Sequence, residues 1–177
     1  MFENTLKLIK NDEIRKQTEL AISKFPDYFE YAAASSTGKY HQSDENCRGG
    51  LERHSKRDVK VFLELSIIEN FHLTQDEIDY GIAALICHDC CKYGENYGQY
   101  TVHNHPLLAS KLIRENCSKE FADNVCPLVE SHSGQWTTSK YSKDVLPKPT
   151  TMLQLLVHLS DYIASRRCVN IQLEETD

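Results

Sequence analysis

Eight histidines are the residues of this sequence best suited to chemistry: His41, His54, His72, His88, His103, His105, His132 and His158. One of them opens the pair His88-Asp89, which closes an apolar helical run. An apolar helix end does not bury a carboxylate unless a partner offsets the desolvation, and a metal ion does so well. A single His-Asp dipeptide is a common accident. The ordered series says more: His54 at the start of one helix, His88-Asp89 at the end of the next, His105 at the start of a third, His132 at the end of a fourth, and Asp161 within the last. Antiparallel helices joined by loops bring such ends together. Imidazole and carboxylate donors suit divalent Zn, Mn, Fe, Co or Ni.

The elements that must position these residues have helical spacing. A first segment, about Leu6 to Lys24, carries Leu6, Leu8, Ile9, Ile14, Leu20 and Ile22 and stops at Phe25-Pro26. The polar stretch from Ser35 to Gly50 reads as loop. A helix from about Leu51 has the apolar stripe Val59, Phe62, Leu63 and Ile67. Thr74-Gln75-Asp76-Glu77 is a capping-box signature, and Ile78, Ile82, Leu85 and Ile86 follow it up to His88-Asp89. The next helix opens at His105-Pro106, with proline in the first turn, and presents Leu108, Leu112 and Ile113. Another spans about Ser118 to Ser131 with Phe121, Val125 and Leu128 inward. A loop from Gly134 to Pro149 holds Trp136. The last helix, about Thr150 to Arg167, is expected to bury Met152, Leu155, Leu156, Leu159 and Ile163. Nothing alternates like a strand. The expected fold is all-α, a single-domain bundle over residues 1–177 with the site between about 40 and 167.

A chain of 177 residues fits one domain, and it buries roughly two-thirds of its unfolded surface without staples. Its formal net charge of -6 argues against a long nucleic-acid partner, which needs a basic face. Small anionic substrates stay open, because bound metal ions reverse the local field. The first ten residues carry charges with no apolar run after them, so no signal peptide is expected. No run approaches the roughly 20 apolar residues that span a bilayer. Seven cysteines in no framework spacing suit reduced thiols and a cytoplasmic setting. Cys87 and Cys90 form a C-x-x-C, but without a second cysteine pair or a βαβ pattern, helix packing is the better reading.

Five stretches together carry a resemblance: Gly49-Gly50-Leu51-Glu52-Arg53-His54, His88-Asp89-Cys90-Cys91-Lys92, His103-Asn104-His105-Pro106, Ser131-His132-Ser133-Gly134, and His158-Leu159-Ser160-Asp161-Tyr162-Ile163-Ala164-Ser165-Arg166. The chain resembles the HD-domain phosphohydrolase superfamily over nearly everything from Tyr40 to Arg167. That resemblance implies an HD-type helical bundle with one or two divalent metal ions (Mn, Fe, Zn, Co, Ni or Mg). The minimal ligand set it implies is His54, His88, Asp89 and Asp161. His105 and His132 match members with two metals, in which Asp89 bridges. Either His103 or His105 could fill the third position, and Pro106 after His105 favours the latter. Lys92 sits where the "HD-x-x-K" branch carries a lysine that reaches the substrate phosphate.

The implied activity is hydrolysis of a phosphoester or phosphoanhydride bond of a nucleotide or dinucleotide through a metal-activated water. The motifs are similar to those of short hydrolases of dinucleoside polyphosphates and to the HD half of a bacterial 3′–5′ exoribonuclease. The latter carries a nucleic-acid module in front, for which this chain leaves no room. The alternatives are a 3′–5′ exonuclease on short single strands and a non-catalytic nucleotide-binding domain. A small nucleotide is the expected partner, with no membrane, and homo-oligomerisation is left open. Arg166, His41 and Trp136 are further candidates for substrate contact, with a helix-end cation, a solvated loop residue and a loop anchor as their plainer roles. His72 reads as a helix C-terminal cap and His158 as a packed or hydrogen-bonded residue.

Overall fold

The computed structural model describes residues 1–173. Among them are α1 (Glu3–Leu6), α2 (Asp12–Ile22), α3 (Gly50–Ser66), α4 (Gln75–Cys87), α5 (His105–Asn116), α6 (Lys119–Ser131) and α7 (Met152–Ala164), with three short 3-10 turns and no strand. The fold is all-α. No helix among the described residues is long and apolar enough to cross a membrane.

Helix α4 is the axis of the bundle. It packs on α2, α3, α6 and α7, while α3 also packs on α7 and α5 on α6. Ile82 through Cys87 are all fully buried, so α4 is apolar on every side, as a central helix must be. Its N-terminus is held by a complete capping box between Thr74 and Glu77. Its C-terminus therefore carries His88 and Asp89 into the interior rather than to the surface.

The N-terminal segment is two helices where the apolar spacing suggests one. Asp79 on α4 accepts the backbone N–H groups of Lys10 and Asn11 on one oxygen, at 2.9 and 2.6 Å. Asn11 then caps α2 by accepting from the N–H groups of Glu13 and Ile14. The break turns Leu8 and Leu20 partly toward solvent.

Helix α7 also departs from expectation. It is capped by Thr151 and ends at Ala164, short of Arg167. Its buried face is Gln154, Leu156, Val157, Ser160 and Ala164, and Met152 and Leu155 face water. Gln154 sets this phase: its Oε1 accepts from the backbone of Thr150 and Thr151, and its Nε2 donates to the Pro127 carbonyl. Ile67 lies just past α3 and is exposed. His72 ends the 3-10 turn Glu69–Phe71 in the left-handed region, φ 48°.

Candidate metal centre

Four helix ends and the body of α3 meet around Asp89. His54 and Asp58 come from one face of α3, a turn apart. His88 and Asp89 extend α4. His105 opens α5, His132 caps α6, and Asp161 lies in the last turn of α7. His54, His88, Asp89, His105 and His132 are all buried, and Asp161 is partly so.

The two oxygens of Asp89 face different histidine pairs. Oδ2 lies 3.4 Å from His88 Nε2 and 3.6 Å from His54 Nε2. Oδ1 lies 3.0 Å from His105 Nε2 and 3.8 Å from His132 Nε2. Asp161 Oδ1 closes the first group at 3.1 Å from His54 Nε2. The donor atoms thus fall into two adjacent groups that share one carboxylate. His103 is not in either: its Nε2 faces the Thr137 carbonyl at 3.3 Å.

Backbone carbonyls decide which ring nitrogen each histidine offers. The Nδ1–H groups of His88, His105 and His132 point at the carbonyls of Leu85, Val102 and Val129, each at 2.7 Å. In the neutral rings this leaves a lone pair on every Nε2. The Nε2 atoms of His105 and His132 then face one another at 3.2 Å with Asp89 Oδ1 beside them. Three acceptors converging on one point repel unless a cation lies among them. His88 Nε2 and Asp89 Oδ1 are buried with no hydrogen-bond partner, which is costly in the absence of such an ion. The donor set, imidazole nitrogen plus carboxylate oxygen, fits a divalent transition metal.

Charge follows the same layout. Burial works against ionisation of Asp89, but the Lys92 ammonium leads the neighbours that override it and hold the carboxyl well below the usual range. Burial also opposes the Lys92 ammonium, which Asp89 and Asp161 keep charged, raising its pKa. Lys92 pairs directly with Asp89 Oδ2 and is nearly enclosed. Burial, with His88 and His105 close by, lowers His132 to about 3, so its ring is neutral at physiological pH and its nitrogen is free to ligate.

Three buried charged residues behind His54 were not anticipated from the sequence. Glu45 pairs with Arg57 and receives His41 Nδ1 at 2.9 Å. Arg57 also reaches Asp44 at 2.7 Å. Asp58 Oδ1 lies 3.3 Å from His54 Nδ1. The glycine at α3's first position makes this possible: a Cβ on Gly50 would stand 1.9 Å from the Glu45 carbonyl, so only glycine lets that turn lie against α3. His41 is neither in solvent nor at an open surface. It is buried edge-on to His54, with ring centroids 4.5 Å apart.

The rim is aromatic. Trp136, half exposed, stacks on Tyr162 at 5.6 Å, and Arg166 lies over the rings of both Tyr162 and Tyr40. A cavity of about 590 Å³ beside His105 is walled by Asn104, Ser133, Trp136 and Tyr141, among others. His158 donates its Nδ1–H to the His132 carbonyl at 2.7 Å, a hydrogen-bonded role next to a ring of the site.

Comparison with curated proteins and with solved structures gives no match. A model of the HD domain family matches residues 51–166, a span that contains every one of the six residues grouped around Asp89. With that match over most of its length and a buried His/Asp centre, the chain belongs to the HD-domain superfamily of metal-dependent phosphohydrolases.

Proposed function

We propose that this protein hydrolyses a phosphoester or phosphoanhydride bond of a nucleotide or dinucleotide at the centre formed by His54, His88, Asp89, His105, His132 and Asp161. The observation that carries the reading is the division of the Asp89 oxygens between two histidine pairs. Bound there, divalent ions supply Lewis acidity and an activated water. The chain's own residues do the rest. Backbone carbonyls fix the ring orientations, so no reorganisation is needed when substrate arrives. Lys92 holds an ammonium beside Asp89, where a substrate phosphate has charge to be neutralised. The open face of the Trp136 indole, in the cavity next to His105, offers a stacking surface for a base. Arg166 lies over the Tyr162 ring of that stack. His41 acts through Glu45 and His54 rather than on substrate.

The Tyr40–Arg166–Tyr162–Trp136 ladder also favours a second reading, a 3′–5′ exonuclease on short single strands, because aromatic and arginine platforms stack successive bases. The acidic chain argues for the smaller substrate. Wild type and Asp89→Asn are to be compared on mononucleotides, dinucleoside polyphosphates and a short single-stranded oligonucleotide, with bound metal measured in parallel. The proposal expects cleavage of the small substrates by wild type, and loss of both turnover and metal in the variant. Turnover at the wild-type rate by Asp89→Asn would remove the centre from the chemistry. Cleavage of the oligonucleotide alone would favour the second reading.

A further inference from the structure

Asp58 stands outside the six residues grouped above, yet it is wholly buried beside them. Neither of its carboxylate oxygens has a hydrogen-bond donor. Glu45, equally buried, has the Arg57 guanidinium and the His41 ring as partners; Asp58 has neither. What it faces are ring nitrogens. Its Oδ1 lies 3.3 Å from His54 Nδ1 and its Oδ2 lies 3.4 Å from His88 Nε2. In the neutral ring the latter nitrogen carries a lone pair, because the other ring nitrogen donates to Leu85. A carboxylate oxygen and a lone pair at that distance, in a dry interior, repel unless a proton or a metal ion lies between them, and a metal ion serves the other converging donors as well.

Asp58 also completes a shell. One donor atom each from His54, Asp58, His88 and Asp161 lie within 4.8 Å of one another. Donors held at about 2.1 Å from one ion stand up to about 4.2 Å apart, so a small inward shift closes the set. Asp89 Oδ2 adjoins the same two histidines. This position therefore gathers two nitrogens and three carboxylates, whereas the position at His105 and His132 has two nitrogens and Asp89 alone. Carboxylate-rich surroundings suit Mn²⁺, and imidazole-rich ones suit Zn²⁺.

We infer that Asp58 is a metal ligand, joining His54, His88, Asp89 and Asp161 at the first position and raising its affinity for Mn²⁺ relative to Zn²⁺. The inference rests on the reading of the cluster as a metal centre. Asp58→Asn separates ligation from mere positioning: the amide keeps the size and shape of the side chain, but the anionic donor is gone.

Metal-free wild type and Asp58→Asn are titrated with Mn²⁺, free ion being read by electron paramagnetic resonance, and with Zn²⁺ against a chromophoric chelator. The expected result is at least a tenfold loss of Mn²⁺ affinity, and a smaller loss for Zn²⁺. Equal Mn²⁺ affinity in both proteins overturns the role of Asp58 and leaves the metal centre standing. Failure of wild type to bind either ion overturns the centre itself. Should the variant not fold, a crystal structure of Mn²⁺-loaded wild type decides: an Asp58 oxygen about 2.2 Å from the ion supports ligation, and one beyond about 3 Å refutes it.

Discussion

Asp89 and Lys92 occupy successive turns at the end of α4, and their pairing shows how one helix end serves two tasks. In the proposed reading the carboxylate serves the metal positions, and the ammonium is left to meet the substrate's phosphate when an ion takes its place on Asp89. Lys92→Ala is expected to lower kcat about a hundredfold while bound metal is retained, the scale of losing one preorganised charge partner. Trp136→Ala is expected to raise KM with kcat little changed, since a stacking surface binds ground and transition states alike. Steady-state kinetics on the substrate found for wild type tests both; kcat within twofold for Lys92→Ala, or an unchanged KM for Trp136→Ala, contradicts the respective role. The six residues around Asp89 could be named from sequence because histidine is scarce enough for its order along the chain to carry information. Asp58, Arg57 and Glu45 could not. Arg57 and Asp58, in the run Arg53 to Asp58, look like the solvated face of an amphipathic helix and Glu45 like part of a polar loop, and only the fold shows them turned inward.

At the scale of elements, the close approach of α3 to α4 sets the distance between His54 and His88. Gly81 permits it: a Cβ there would fall 2.2 Å from the buried Phe62 ring. Gly81→Ala is expected to cost about 1–3 kcal/mol through overpacking. A urea unfolding midpoint equal to that of wild type would show that the contact is not limiting. The ends of α4, α5 and α6 were legible because their punctuation is local: Thr74 with Glu77, Pro106 in a first turn, Ser118 as a cap. The break before α2 was not, because its cause is Asp79, 68 residues away from Asn11. The phase of α7 was missed for a similar reason. Leucine spacing suggested one face, but Gln154 is tied to the Pro127 carbonyl and turns Leu155 outward.

For the molecule as a whole, the same burial that creates the centre quiets its sulfur chemistry. All seven cysteines are free, and Cys87, Cys90, Cys91 and Cys126 are buried. Burial pushes the Cys87 and Cys90 thiols well above their ordinary range and Cys117 up to about 11. Thiolate, the reactive form, is therefore scarce at those sites near neutral pH. A thiol reagent at pH 7.5 is expected to modify Cys47 and Cys168 rapidly in the native protein and the other five only after denaturation. Rapid native reaction at Cys87 or Cys90 would return the C-x-x-C to consideration as a redox motif. All-α architecture and helix order could be read from composition and spacing; which charged residues are interior could not, because that depends on how α3 packs on both α4 and α7.

The most direct test of the central claim, that Asp89 joins two metal positions, is the metal content of protein purified without added metal, measured by elemental analysis on wild type and on His132→Ala. About two ions per chain in wild type, falling to about one in the variant, is the result expected from the division of the Asp89 oxygens. One ion in both proteins would reduce His105 and His132 to structural residues, and no metal in wild type, even after incubation with Mn²⁺ or Zn²⁺, would contradict the account altogether.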